Sequence, residues 1–355
     1  MDINTIISDY REKINRHLES FLANKIEEAA EISPDVRDVV VNATKYTLRG
    51  GKRLRPIFFI YGYKCLSDGD ERAIIDASIS IELMQSYLLI HDDIMDEDEL
   101  RRGKPTFHVL YKDICEREYG STKSVRFGEN MAILTGDLLE AYGEEVLANS
   151  NFDARYVRRA LCKYLEIVRN VGYGQIMDIM SERKGSITTD EILMIHRLKT
   201  ASYTIEGPLQ IGAILAGAKE RDLQVMREYG IPLGIAFQIQ DDILGLFGRE
   251  AKIGKPVGSD IREGKKTLLI LHALERCNDD ERRFILRTMG NEHITVDEIE
   301  AVREIVKRTG SFDYSKQLVR NNTERAIEAM EDSDFRADAK EFLMKIADFI
   351  GEREY

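Results

Sequence analysis

The chain has no tryptophan, six prolines and four cysteines in 355 residues, and it carries no excess of positive charge. Each shortage removes a class of protein. With so few prolines and no Gly/Ser-rich linker before residue 248, a string of tethered modules is excluded, and one large domain over 1–355 is expected. Cys65, Cys115, Cys162 and Cys277 are far apart and lack zinc spacing, which leaves buried free thiols in a reducing compartment. A net charge of −12 disfavours non-specific nucleic-acid binding and attraction to an anionic membrane surface. No segment approaches 18 uncharged apolar residues, and Met1-Asp2-Ile3-Asn4 is not a basic region leading into an apolar run. A cytoplasmic protein without stable membrane insertion is expected. In such a chain an anionic substrate would need a local basic patch or a metal ion.

What is present is helical periodicity, with 43% hydrophobic and 32% charged residues. Ile6, Ile7, Tyr10, Ile14, Leu18, Phe21, Leu22 and Ile26 fall at helical spacing. Ser33-Pro34-Asp35 starts a second helix that stops at Gly50-Gly51. Lys52-Arg53-Leu54-Arg55-Pro56 then gathers basic groups at the N-terminus of a helix over 57–66, a favourable place for phosphate, or else a solvated basic loop. Residues 70–90 read as a central helix, and the segment from Tyr119 to Asn130 reads as a loop. Helices are expected again over 132–147, 156–180 and 189–198, with an apolar segment over 201–216, giving an all-α class.

The central helix ends in His91-Asp92-Asp93-Ile94-Met95-Asp96. At about 100° per residue Asp92 and Asp96 share one face, with Leu88, Gln85 and Ile81 below them. Two close carboxylates above an apolar wall suit a hard divalent cation such as Mg2+, which bridges carboxylates to phosphate oxygens. The plain alternative is a solvated acidic helix end. A second pair, in Phe237-Gln238-Ile239-Gln240-Asp241-Asp242, again closes a largely apolar helix, so two acidic ends facing one cavity are expected. His91 beside Asp92 also fits a metal phosphohydrolase, but that fold needs further upstream His ligands and only His17 precedes it.

In the order of these motifs, from about Gly50 to Leu269, the chain resembles the trans-isoprenyl diphosphate synthase family, which carries a DDxxD and an FQxxDDxxD motif. It is most similar to the archaeal short-chain geranylgeranyl and farnesyl synthases. The resemblance implies an all-α isoprenoid synthase (class I terpenoid synthase) bundle around a central apolar cavity, working as a homodimer. It implies that Lys52, Arg55 and Gln85 grip isopentenyl diphosphate, that Arg102 joins them, and that Arg101 contacts the allylic diphosphate. Paired with Asp96 or Glu97 to Glu99, the two arginines would instead be surface ion pairs of little worth. Gln175 and Asp178 match a GQxxD pattern, or form an internal polar contact. Lys199 contacts diphosphate, while Thr200 and Gln238 present oxygen dipoles to a carbocation. Asp92, Asp96 and Asp241 hold about three Mg2+, with Mn2+ as the other candidate. Lys255 and Lys265 sit in a lid, GKPVGSDIREGKKT, that excludes water. Three departures stand out: Gln85 where many relatives have His, Gly245 where a third Asp is common, and a longer segment around 113–130.

The chemistry implied is ionisation of an allylic diphosphate, attack by the isopentenyl double bond, and proton loss to the released pyrophosphate. At about 4 Å and an effective dielectric near 20, one charge pair is worth about 4 kcal/mol, so several cation contacts to the leaving group remove much of an ionisation barrier. Product length is then a matter of depth. Tyr87, fifth before the motif, occupies the position of an aromatic floor in archaeal relatives, although helical phase favours Leu88. Geranylgeranyl diphosphate is the expected product, with farnesyl diphosphate or a mixture as the alternative. A class I terpene cyclase, a non-catalytic partner subunit and a purely structural helical protein are the more distant readings. The first two are opposed by the second diphosphate site and by nearly intact motifs.

Overall fold

A computed structural model describes residues 2–120, 122–184, 186–248, 258–291 and 293–352. Its contacts divide the chain into two compact units, Met1–Tyr164 with Ile211–Ala218 and Leu165–Gln210 with Lys219–Tyr355. In the first unit α1 (Ile3–Ile32) buries Ile7, Tyr10, Ile14, Leu18 and Leu22, the stripe its spacing foretold. Ser33 accepts the Val36 N–H (3.1 Å) and Pro34 takes the first turn of α2 (Pro34–Thr47). After α3 (Leu54–Lys64), Asp70 caps α4 (Glu71–Met95) by accepting the N–H groups of Arg72 (2.8 Å) and Ala73 (3.2 Å). Burial of α4 on almost every face explains its weak periodicity: Ala77, Ile81, Leu83 and Met84 are wholly inside. By length and composition α4 would span a membrane, but 78% of that stretch is packed within the fold.

Two short strands, β1 (Leu100–Arg101) and β2 (Lys104–Pro105), pair antiparallel before α5 (Phe107–Tyr119) and α6 (Ser124–Ala148). The expected loop over 119–130 is therefore wrong beyond residue 123. Gly128, which reads as a breaker, is a contact residue instead, because a Cβ there would overlap the His108 carbonyl of α5. The first unit is completed by the start of α7 (Ala154–Arg183) and most of α9 (Gly207–Leu215).

The second unit holds the remainder of α7, α8 (Thr189–Ile195), a π-helical stretch His196–Glu206, α10 (Glu220–Phe247) and the C-terminal helices. Its core joins Ala236, Ile239 and Ile243 of α10 to Leu269, Val302, Val306 and Val319. Two further expectations are corrected here. Lys199-Thr200 lies inside one continuous helical run, and Asp241-Asp242 lies within α10, which continues to Phe247. Of the four free thiols Cys65 and Cys115 are buried, Cys277 is half-buried and Cys162 is exposed.

Candidate active site

In the first unit the motif forms the last turn of α4, where the Asp96 N–H donates to the Asp92 carbonyl (2.8 Å) and puts the two side chains one turn apart. Both are half-buried. Asp93 between them is wholly buried, accepting the Tyr46 hydroxyl (2.7 Å) and the Arg101 Nε–H. Burial pushes the Asp93 carboxyl up to about 6 against the opposing pull of Arg101. Arg101 also reaches Asp98 (3.3 Å) and lies 3.9 Å from Asp92. Nothing in the sequence pattern singles out Asp93 as the anchor of this arginine.

The β-ribbon aims the two arginines apart. Arg102 (φ 55°) and Gly103 (φ 70°) make its two-residue turn, and positive φ at both is what a type I′ turn demands. Arg102 donates to the Gly50 carbonyl, and its guanidinium would lie 3.0 Å from any Cβ at Gly51 (φ 113°). The Gly50-Gly51 pair thus gives room to an arginine as well as ending α2. Arg53 has φ 55° and is buried against Glu82, with bonds to Asn15 (2.9 Å) and the Thr47 carbonyl (3.0 Å). It locks the loop that leaves Lys52 exposed and Arg55 half-buried. Gln85 is 8% exposed, lies with Arg101 and Arg102 around a small space, and its Oε1 has no hydrogen-bond partner among the described residues. Further down α4, Tyr87 and Leu88 are both half-buried, and Tyr87 stands edge-on to His91 (4.9 Å, 78°).

In the second unit, Gly234 lets α10 approach the π-helical stretch, since a Cβ there would overlap Ala201. Close approach builds a chain of hydrogen bonds. Thr200 donates to Gln238 Oε1 (2.7 Å), and Gln238 donates its Nε2–H to Asp242 Oδ1 (2.8 Å). Beside it Lys199 donates to Asp178 (2.9 Å). Burial raises the Asp242 carboxyl well above the usual carboxylate range, and lowers the buried His196 to about 4. Both shifts disfavour the charged forms, so their 3.6 Å approach is a weak candidate for an ion pair. These residues and Lys265 line a cavity of about 130 Å3. Asp241 is half-buried on the adjacent position.

The missing third aspartate of the second motif has a local reason. A Cβ at Gly245 would come within 2.6 Å of an Asp260 oxygen, so a carboxylate from the following segment already occupies that side. Asp260 was not foreseen, although its setting in Gly258-Ser259-Asp260-Ile261 marked it. Lys265 pairs with Glu263 (2.6 Å), and Lys266 donates to the carbonyls of Ser181 (2.8 Å) and Lys184 (2.5 Å). Lys255 lies outside the described residues.

Comparison with known proteins decides the family. Residues 37–306 match the model of the polyprenyl synthetase family. The chain belongs to that family. It is 39% identical to a short chain isoprenyl diphosphate synthase of Methanocaldococcus jannaschii, over 94% of this chain and 95% of the relative. It is 35% identical to a geranylgeranyl diphosphate synthase of Sulfolobus acidocaldarius, over 86% and 88% respectively. Among solved structures it superimposes on geranylgeranyl pyrophosphate synthase from Corynebacterium glutamicum, complexed with isoprenyl diphosphate and magnesium, with a TM-score of 0.93, 30% identity and full coverage of both chains. This polyprenyl synthetase is accordingly a prenyltransferase with the all-α isoprenoid synthase fold.

Proposed function

We propose that this polyprenyl synthetase condenses isopentenyl diphosphate with dimethylallyl, geranyl and farnesyl diphosphates to give geranylgeranyl diphosphate. In this reading residues 1–355 act as one catalytic domain in a cytoplasmic homodimer. Leu134 and Leu138, exposed on α6, are apolar area suited to a partner copy. The observation that carries the reading is the hydrogen-bonded chain Thr200–Gln238–Asp242 beside Lys199. The Thr200 hydroxyl and the Gln238 amide offer oxygen dipoles to a developing allylic cation without a nucleophile strong enough to trap it.

Asp92, Asp96 and Asp241 offer hard oxygen donors, the type that suits Mg2+ and also Mn2+. Among the described residues no three His, Cys, Asp or Glu side chains converge on one point. That fits a cation whose shell is completed by diphosphate and water oxygens. When bound, about three such ions supply charge neutralisation for the departing diphosphate. The chain's own residues do the rest. Lys52, Arg55, Gln85 and Arg102 hold isopentenyl diphosphate, Gln85 by donating its amide N–H to a phosphate oxygen. Arg101, Lys199 and Lys265, with Lys255, hold the allylic diphosphate. Tyr87, with Leu88 beside it, sets the depth available to the product.

The test is a product analysis with labelled isopentenyl diphosphate, Mg2+ and each allylic primer in turn. A C20 product from every primer supports the reading. Accumulation at C15 moves the floor upward and makes the chain a farnesyl or mixed synthase. No incorporation with any primer overturns it.

A further inference from the structure

The wall beside Tyr87 is not apolar throughout. α4 and α6 run antiparallel, and two close approaches fix their register. A Cβ at Gly143 would approach the Ser80 carbonyl, and one at Gly136 would overlap the His91 ring, whose Nε2 also lies 3.0 Å from the Ile133 carbonyl. Tyr87, between Ser80 and His91, therefore faces α6 at the level of residues 138–140. Glu140 stands there, half-buried, one turn from Asp137 and from Glu144. Its carboxylate accepts the hydroxyl of Tyr164 (3.2 Å), a side chain with no exposed surface. Gly143 makes room for that hydroxyl, which a Cβ would strike. Burial raises the Tyr87 phenol, with Glu140 and Asp137 near enough to add to it, and burial with Glu144 raises Glu140 itself to about 7. None of these residues is needed for the diphosphate chemistry.

We infer that Glu140, held by Tyr164, is a second determinant of product length, a polar stop behind the aromatic floor at Tyr87. The inference rests on the chain-elongating reading above. A growing hydrocarbon that passes Tyr87 meets a carboxyl group with one hydrogen bond to protein. Advancing further strips water from that carboxyl without replacing it, and burying a little more hydrocarbon does not offset the loss. An apolar side chain at 140 removes the penalty and adds wall.

The experiment compares the product distributions of the unmodified protein, Tyr87→Ala, and Tyr87→Ala combined with Glu140→Leu or Glu140→Gln. Total isopentenyl incorporation and thermal melting are followed alongside. The expected result is lengthening in Tyr87→Ala and a further shift by at least one isopentenyl unit in the Leu double variant. The Gln double variant, which keeps the shape and a partner for Tyr164, should shift in the same direction by less. Double variants with the same distribution as Tyr87→Ala overturn the inference while leaving the synthase reading intact. If the Leu variant fails to fold, the Gln variant decides alone by the same criterion. Absence of incorporation by the unmodified protein removes the synthase reading and this inference with it.

Discussion

Asp92 and Asp96 in the first unit, and Asp241 and Asp242 in the second, are acidic pairs on long helices, yet they are held by opposite means. The first is anchored by charge: Asp93 is buried beneath it with the Arg101 guanidinium, and Asp92 itself lies 3.9 Å from that cation. The second is anchored by the dipoles of a hydroxyl and an amide. Burial raises the Asp242 carboxyl, which ends a hydrogen-bond chain that begins at the Thr200 hydroxyl. The contrast suits a division of labour in which one end manages diphosphate charge and the other also shapes the surroundings of a cation.

Four substitutions probe that contrast, and the most damaging remove a proposed metal-facing charge. Asp92→Asn and Asp241→Asn should each lower kcat by about 10²–10³-fold, with little loss of stability, because each deletes charge acting on the leaving group. Steady-state rates read this, and wild-type kcat in either variant would break the assignment. Next come the two inner carboxyls. Asp93→Asn leaves half-buried Arg101 without its buried counter-charge, with only the longer approaches to Asp98 and Asp92 remaining, and should cost about 2–4 kcal/mol by denaturant unfolding. Asp242→Asn keeps an acceptor for Gln238 at a position where burial already disfavours charge, so it should cost less than about 1 kcal/mol. Equal losses in the two variants would erase the distinction between charged and neutral anchoring.

The smallest expected effect concerns Glu140. Its folded carboxyl is raised from 4.5 to about 7, so the protonated form is favoured by folding. The stability it contributes is present in full below about 4.5 and is lost as pH rises through about 7. Glu140→Gln, which cannot ionise, should therefore gain about 1–3 kcal/mol on the wild type between pH 4.5 and pH 8, read from paired unfolding curves. A difference that does not change with pH would contradict the buried placement of this carboxyl.

Much of the architecture could be read in the sequence because capping signals are local. Ser33-Pro34 and Asp70 marked helix starts that their side-chain hydrogen bonds then explained. The Asp92 and Asp96 spacing was equally plain, since one helical turn suffices to place both. Glycines at helix crossings were opaque: Gly128 and Gly234 look like breakers in a sequence, and only the facing helix shows that they admit a neighbour's backbone. Phase within α4 was ambiguous for a related reason. A helix buried on almost every face offers no polar face to orient it, so the sequence could not tell whether Tyr87 or Leu88 is turned toward α6. The upward shift of Asp242 follows from burial, which depends on residues remote in the chain such as His196 and Asp260.

The central claim is that two acidic helix ends act through a divalent cation on a diphosphate leaving group. A Mg2+ titration of isopentenyl incorporation by the unmodified protein tests it most directly. The expected result is no incorporation in the presence of a chelator, a rise steeper than single-site binding as Mg2+ is restored, and full activity at saturation. Incorporation that persists undiminished without divalent cations would contradict it.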